Sequence, residues 1–256
     1  MDITILQNPR VKHIVKLRDD KKQRLREGLM LVEGVDEISL ALTAGYGPRT
    51  VLTAPELVRR QIDLPAVELL TVSTAVFEKM SYRENPDGWL AIFPIPHLSL
   101  EDIKLSDPPL VIVAESVEKP GNLGAILRTA DAAHVDAVLV CDPRVDVYSP
   151  NVVRASRGAV FTVTVVETES TQALDWLRQQ GIEILAATPS AEAEYTRQNL
   201  RLPLAIAVGT EDEGLSELWM TQADLRVRIP MMGKVNSLNV SIATALIVYE
   251  AVRQRA

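Results

Sequence analysis

Three short stretches of this chain combine residue types that could orient a polar substrate and cradle a ligand. Residues 120–132 read P-G-N-L-G-A-I-L-R-T-A-D-A. Arg128 interrupts an otherwise apolar helical pattern, and an arginine buried there without a partner would be costly, so it is expected to face an anion or a cleft. Asn122 stands before that helix as a natural N-cap, a structural role that competes with a functional one. Residues 208–216 read V-G-T-E-D-E-G-L-S: a strand ends at Val208 and runs into Gly209, Thr210 and Glu211. Ligands of open α/β sheets sit at such carboxyl ends. That places the acids Glu211, Asp212 and Glu213 where a ligand could lie, although loop acids are often only solvated, and Gly214 fits a turn. Residues 228–250, R-I-P-M-M-G-K-V-N-S-L-N-V-S-I-A-T-A-L-I-V-Y-E, pass from a strand through a Pro/Gly-marked loop into an apolar helix. Ser237 is the expected N-cap there, with Asn239 in the first turn; Leu238, Val240, Ile242, Leu246 and Ile247 form the expected core stripe.

Other chemistries leave no trace. The chain holds no G-x-G-x-x-G, P-loop or H-E-x-x-H pattern. His13, His97 and His134 lack metal-ligand spacing, and His134 reads as a helix C-cap because histidine tolerates positive φ better than most residues. One cysteine, Cys141, excludes an internal disulfide and a Cys-rich zinc site, and it reads as a small core residue. No metal is expected. With 47% hydrophobic and 24% charged residues in 256, the composition is that of a soluble globular protein. No apolar run approaches the roughly 18 residues of a membrane span, and the first residues lack a signal-type pattern. The expected location is cytoplasmic.

The positioning elements follow from periodicity. In residues 1–94, strand-like runs at 29–32, 50–52, 68–71 and 89–93 alternate with helical patterns at 36–44, 55–61 and 74–80. Asn8 caps an earlier helix that begins at Pro9. Residues 94–109 contain four prolines and little periodicity, which gives a linker over 95–109. From 110 to 256 the alternation is cleaner. Strands are expected at 110–114, 137–140, 161–166, 183–187, 204–208 and 225–229, and helices at 123–133, 172–179, 217–222 and 239–253. The strands are near-continuous aliphatic runs, as in a parallel sheet covered on both faces.

The charge pattern adds a partner. The net charge is −7, an awkward total for a nucleic-acid binder, yet residues 1–94 hold thirteen basic and thirteen acidic residues. Within them, residues 10–26 carry eight Lys/Arg against Asp19 and Asp20. Such a run is either a solvated helix face or a contact for RNA phosphates; Lys12, Lys16, Lys21, Lys22, Arg24 and Arg26 are the candidate contacts.

The three motifs, in this order and spacing, resemble those of the SpoU/TrmH family of RNA ribose 2′-O-methyltransferases in the SPOUT superfamily. Residues 148–161, with Arg154, Ser156 and Gly158, resemble the family's segment before its middle strands. The front segments N-P-R-V-K-H-I-V-K-L and K-Q-R-L-R-E-G-L-M-L-V-E-G resemble an L30e-like substrate-binding domain. Lys119 stands where the family usually has aspartate, and Asn151 and Arg157 also depart from common choices. The resemblance implies an α/β fold: a parallel-sheet SPOUT domain with a C-terminal trefoil knot, after a small α/β L30e-like domain. It implies S-adenosyl-L-methionine as cofactor, held by Gly209, Ile229, Met231 and Leu238. It implies Asn122, Arg128, Glu211, Ser237 and Asn239 as catalytic residues, with ribosomal RNA as the foremost substrate and transfer RNA as the alternative. It also implies a homodimer that brings Arg128 towards the partner's cofactor. A non-catalytic RNA-binding homologue is the rival reading, but the motif residues such a protein would lose are intact.

Overall fold

The computed structural model describes residues 2–210 and 212–256. In chain order its elements are α1 (Pro9–Asp19), α2 (Lys21–Glu27), β1 (Leu29–Glu33), α3 (Val35–Thr43), β2 (Thr50–Thr53), β3 (Glu68–Thr71), α4 (Thr74–Met80) and β4 (Trp89–Pro94). There follow β5 (Leu110–Glu115), α5 (Pro120–Ala132), β6 (Ala137–Cys141), α6 (Pro150–Ala155), β7 (Val165–Thr168), α7 (Ser170–Gln179) and β8 (Glu183–Ala187). The chain ends with β9 (Ala193–Glu194), β10 (Leu204–Val208), α8 (Glu217–Gln222), β11 (Leu225–Arg228) and α9 (Val240–Arg255). The chain divides into two compact units, one of Met1–His97 with Asp146–Thr162 and one of Leu98–Val145 with Val163–Ala256.

The first unit is a small α/β layer. Its sheet runs β1-β4-β2-β3, with β4 antiparallel to both β1 and β2 and β3 parallel to β2. Val11, Ile14 and Leu17 of α1 and Val76, Phe77 and Met80 of α4 bury against Leu31, Leu52 and Leu90 of the sheet. Asn8 caps α1 as its spacing predicts, accepting from Arg10 N at 2.8 Å. The basic run is two helices, because Asp20 leaves helical geometry and caps α2 through Lys22 N at 2.8 Å. Residues 55–61, expected as a helix, form turns whose last carbonyl groups serve tertiary structure: Arg60 O accepts from Trp89 Nε1 at 2.8 Å.

Residues 146–162, expected in the second domain, pack in the first unit. Asp146 pairs with Arg24 at 2.6 Å, and the Phe161 ring lies 5.5 Å from that of Tyr46 and 6.2 Å from that of Phe93. This is why the strand expected over 161–166 starts only at Val165: Phe161 ends a 3-10 turn that points its ring into the first unit's core. The helix α6 in this segment was not legible from periodicity.

The second unit is built on a parallel sheet of order β7-β6-β5-β10-β8-β11-β9. Its central pair, β5 and β10, runs in register from Leu110↔Leu204 to Ala114↔Val208, and both strands are buried along their length. With no solvated face, no alternation is needed, which explains their aliphatic sequences. Cys141 lies in this core, where burial pushes its thiol pKa up and keeps it neutral. Part of the expected linker belongs here too, since Leu98, Leu100, Ile103 and Leu105 pack on the core. His134 has φ +53° and sits one residue beyond the C-cap Ala133, while Val135 N bonds back to Ala130 O at 2.9 Å; the left-handed turn is as expected, shifted by one position.

Candidate active site

The site is assembled from the loops after β8, β10 and β11 and the start of α9. Glycine is obligatory at the first step. A Cβ on Gly209 would lie 2.1 Å from Gly214 O and 2.2 Å from Gly214 C, because Thr210 and Gly214 exchange backbone hydrogen bonds of 3.0 Å in a tight reversal. The far side of that reversal is anchored to the sheet: the buried Glu115, at the end of β5, accepts from Ser216 N at 2.8 Å.

After β11 the chain crosses an irregular stretch and re-enters helix at Asn239, whose Oδ1 accepts from Ser241 N at 2.9 Å and Ser241 Oγ at 2.6 Å. Asn239 is therefore the N-cap of α9, and the cap expected at Ser237 is corrected; Ser237 lies exposed in the preceding loop. Asn122 is corrected likewise. Pro120 supplies a preset φ at the first helical position, so α5 starts there and Asn122 lies in its first turn rather than at its cap. Freed from capping, the Asn122 Oδ1 accepts from Asn239 Nδ2 at 3.0 Å, joining the first motif to the third. Asn122 is buried, and its own Nδ2 has no partner among the described residues. An unsatisfied buried amide costs free energy that a ligand oxygen would recover.

These loops enclose a cavity of about 470 Å³ lined by Gly209, Ile229, Met231, Ser237 and Leu238, with Val208, Val227 and Ile247 adding apolar surface. The volume suits a nucleoside-sized ligand. An adenine ring needs such an apolar slot with main-chain groups at its edge. Asp212 and Glu213 also line the cavity, and their charge would favour a cationic sulfonium or ammonium. The residues present therefore fit S-adenosylmethionine.

Other expected site residues lie apart from this wall. Arg128 is exposed on α5, does not line the cavity, and has no side-chain partner among the described residues. Glu211 lies outside the described residues. In the first unit Lys12, Lys16, Lys21, Lys22 and Arg26 are exposed. Arg24 is not available to RNA: it is 4% exposed, paired with Asp146, and donates to Leu17 O at 2.6 Å and Arg18 O at 2.9 Å. Sequence reasoning missed Thr188, Pro189 and Ser190, which line the cavity from the end of β8. The rule that ligands gather at strand carboxyl ends could have found them, since β8 neighbours β10. It also missed Glu115, whose acceptor role depends on Ser216, 101 residues away. Among the described residues no cluster of His, Cys, Asp or Glu is arranged to hold a metal ion.

Comparison with known proteins agrees with this geometry. Residues 109–249 match the model of the SpoU rRNA Methylase family, and residues 8–91 match the MRM3-like substrate binding domain. The chain is 33% identical to a 23S rRNA (uridine(2479)-2′-O)-methyltransferase of Streptomyces viridochromogenes, over 97% of this chain and 91% of that protein. A crystal structure of an RNA 2′-O ribose methyltransferase superposes with a TM-score of 0.87 at 44% identity, covering 100% of this chain and 99% of that one. AviRb from Streptomyces viridochromogenes, in complex with AdoMet, superposes with a TM-score of 0.88 at 29% identity, covering 97% of this chain and 99% of its own. The chain thus belongs to the SpoU rRNA methylase family of RNA 2′-O-ribose methyltransferases, which draw their methyl group from S-adenosylmethionine.

Proposed function

We propose that this chain methylates the ribose 2′-hydroxyl of a nucleotide in ribosomal RNA, with the second unit performing the transfer and the first selecting the RNA. The observation that carries the reading is the single cavity that gathers Gly209, Ile229, Met231, Ser237 and Leu238 next to the bonded pair Asn122–Asn239. S-adenosylmethionine, when bound, supplies a sulfonium-activated methyl group to an oxygen nucleophile. Gly209, Ile229, Met231 and Leu238, which line the cavity, would hold its adenosine part. Asn122, Asn239 and Ser237 keep the reacting ribose and the cofactor loop in place, because in-line transfer requires the reacting atoms within about 3–3.5 Å. Glu211 is assigned to the same loop by its motif.

Arg128 orients the ribose or its phosphate and stabilises developing charge. A free guanidinium, with a pKa above about 12, is a poor base, so orientation outweighs proton abstraction. Its exposure away from the cavity supports a homodimer in which it serves the partner's site. So does α9, which packs on α5 yet leaves Ile242, Leu246 and Tyr249 exposed at 52%, 39% and 48%. Ile242 and Leu246, expected in the core stripe, are thereby reassigned to a surface that a second copy would cover; Val240, Ile247, Val248 and Ala251 are the buried face. The trefoil knot around the loop before α9 belongs to the same reading, as does a cytoplasmic location. No helix among the described residues is long and apolar enough to cross a membrane.

Mapping 2′-O-methyl positions in the RNA of cells with and without the gene tests the function. A site lost from ribosomal RNA is the expected outcome. A site lost from transfer RNA instead would select the alternative that a Synechocystis relative's name, tRNA/rRNA methyltransferase, keeps open. No lost site, together with no S-adenosylmethionine binding by calorimetry, would overturn the reading. Light scattering should return twice the 28.2 kDa chain mass.

A further inference from the structure

One exposed aromatic residue of the first unit is held with more care than a surface position requires. Tyr82 follows Ser81, the C-cap of α4, and is 38% exposed. Beneath it the buried carboxylate of Glu33, at the end of β1, accepts from Ser81 Oγ, from Tyr82 N at 2.7 Å and from Arg83 N at 3.3 Å. Arg83 in turn donates to Glu33 O at 3.0 Å and pairs with the buried Glu37 at 2.6 Å. A buried carboxylate persists only when such bonds compensate its desolvation. Here they fix three consecutive residues, so the backbone that presents Tyr82 is rigid.

A cation is brought to the ring from a distant part of the sequence. Arg154, exposed on α6, sets its guanidinium 5.8 Å from the Tyr82 ring centroid. Arg154 has no carboxylate partner among the described residues. Arg18 adds positive charge below the loop, donating to Ser81 O at 2.8 Å and Lys79 O at 3.0 Å, although Asp19 offsets it, and Glu84 is an exposed acid nearby. An exposed aromatic ring with a planar cation over one face, on a preorganised loop, is the chemistry that recognises unpaired bases. Rings stack with bases, guanidinium planes stack or pair with phosphate, and rigidity limits the entropy lost on binding.

We propose that Tyr82 and Arg154 form a stacking platform for an unpaired base of the RNA substrate, with Arg154 also countering the adjoining phosphate. The proposal rests on the RNA reading above and gives the first unit a recognition mode besides the phosphate contacts of its basic helices. The basic run attracts any RNA; the platform distinguishes a loop or bulge from continuous duplex.

The test uses the full chain with two RNA probes, a hairpin carrying 2-aminopurine in its unpaired loop and a blunt duplex of matching length. The wild type should quench the hairpin's fluorescence. Tyr82→Leu, which keeps apolar bulk without a ring, should lose the quenching and bind the hairpin about 5- to 150-fold more weakly, the loss for one base–aromatic stack. Its duplex affinity should hold, and Tyr82→Phe should behave like the wild type. Arg154→Gln should weaken hairpin binding and lower its salt slope by about 0.7, one phosphate contact on a single strand. S-adenosylmethionine titration of each variant checks that the second unit is intact. Hairpin affinity and quenching unchanged in Tyr82→Leu would overturn the platform alone. A wild type that binds neither probe while still binding S-adenosylmethionine would overturn the RNA reading and the platform with it.

Discussion

The cavity of the second unit is made by the course of the main chain, whereas the surface of the first unit is made by side chains on a fixed frame. Gly209 contributes no side chain at all; its value is that the chain can reverse there, where a Cβ would lie 2.1 Å from Gly214 O. Tyr82, Arg154 and the lysines of α1 and α2 work the other way, for their backbone is locked by Glu33 and by helix caps while their side chains stay exposed. A cofactor common to a whole family can be held by chain geometry, which changes slowly. An RNA target is read by exposed side chains, which substitution alters at little cost to the fold. Reaction class is therefore easier to recognise here than substrate.

The sharpest way to break that contrast is at Gly209. Gly209→Val should cost on the order of 3 kcal/mol of stability by overpacking against backbone, and any protein that folds should bind S-adenosylmethionine more weakly. Wild-type affinity by calorimetry would show that the reversal does not shape the site. Arg128→Ala should next reduce single-turnover methylation by about 100- to 1000-fold while cofactor affinity stays within a few-fold, and Arg128→Lys should also be poor because it lacks the planar fork. Near-normal turnover in either variant removes Arg128 from the chemistry.

In the first unit, Arg24 and its neighbours should separate. Removing one partner of a buried pair leaves an uncompensated charge, so Arg24→Ala should destabilise by about 3–5 kcal/mol in denaturant unfolding. Charge reversal at Lys12, Lys16, Lys21, Lys22 and Arg26 should leave stability nearly unchanged. It should weaken RNA binding and reduce the salt slope by about 0.7–0.9 for each phosphate no longer neutralised. Equal stability losses in the two sets would erase the distinction. Asn239→Ala should have an intermediate effect: without its cap, α9 should be about 1 kcal/mol less stable, with turnover falling more than cofactor affinity.

The smallest effect concerns α9 again. Arg253 and Gln254 hold the Glu250 carboxyl at a pKa of about 2, below its ordinary 4.5. A depressed folded-state value contributes stability above the ordinary pKa, lost as pH falls from about 4.5 towards 2. Since Arg253 is 69% exposed, screening keeps the contribution small. Glu250→Gln should slightly flatten the acid limb of the stability curve; an unchanged limb would mean the pair contributes nothing.

What the amino-acid sequence reveals of this molecule follows the range of the forces involved. Strands such as Glu68–Thr71, Glu183–Ala187 and Leu204–Val208, and helices Thr74–Met80 and Glu217–Gln222, coincide with their expected limits because composition and period act locally. The lining residues Gly209, Ile229, Met231 and Leu238 were legible through their motifs. Arg24 was not, since nothing nearby distinguishes it from the exposed Arg26; its partner Asp146 stands 122 residues further on. The same holds for Phe161, drawn out of an expected strand by Phe93 and Tyr46, and for Asn122, whose partner Asn239 is 117 residues away. Ile242 and Leu246 carry the period of a core stripe but lie exposed, for period identifies an apolar face and not what covers it.

The excursion of Asp146–Thr162 into the first unit has a consequence for how the protein is made. As the chain leaves the ribosome, the first 97 residues emerge with Arg24 still lacking its carboxylate and with Tyr46 and Phe93 still lacking the ring of Phe161. Those contacts form only once residue 162 has been synthesised, by which time β5, α5 and β6 of the other unit have already been made. Translation therefore interleaves the residues of the two units, and a cut at the proline-rich stretch would leave the first piece without Asp146 against Arg24 and without the Phe161 ring against Tyr46 and Phe93.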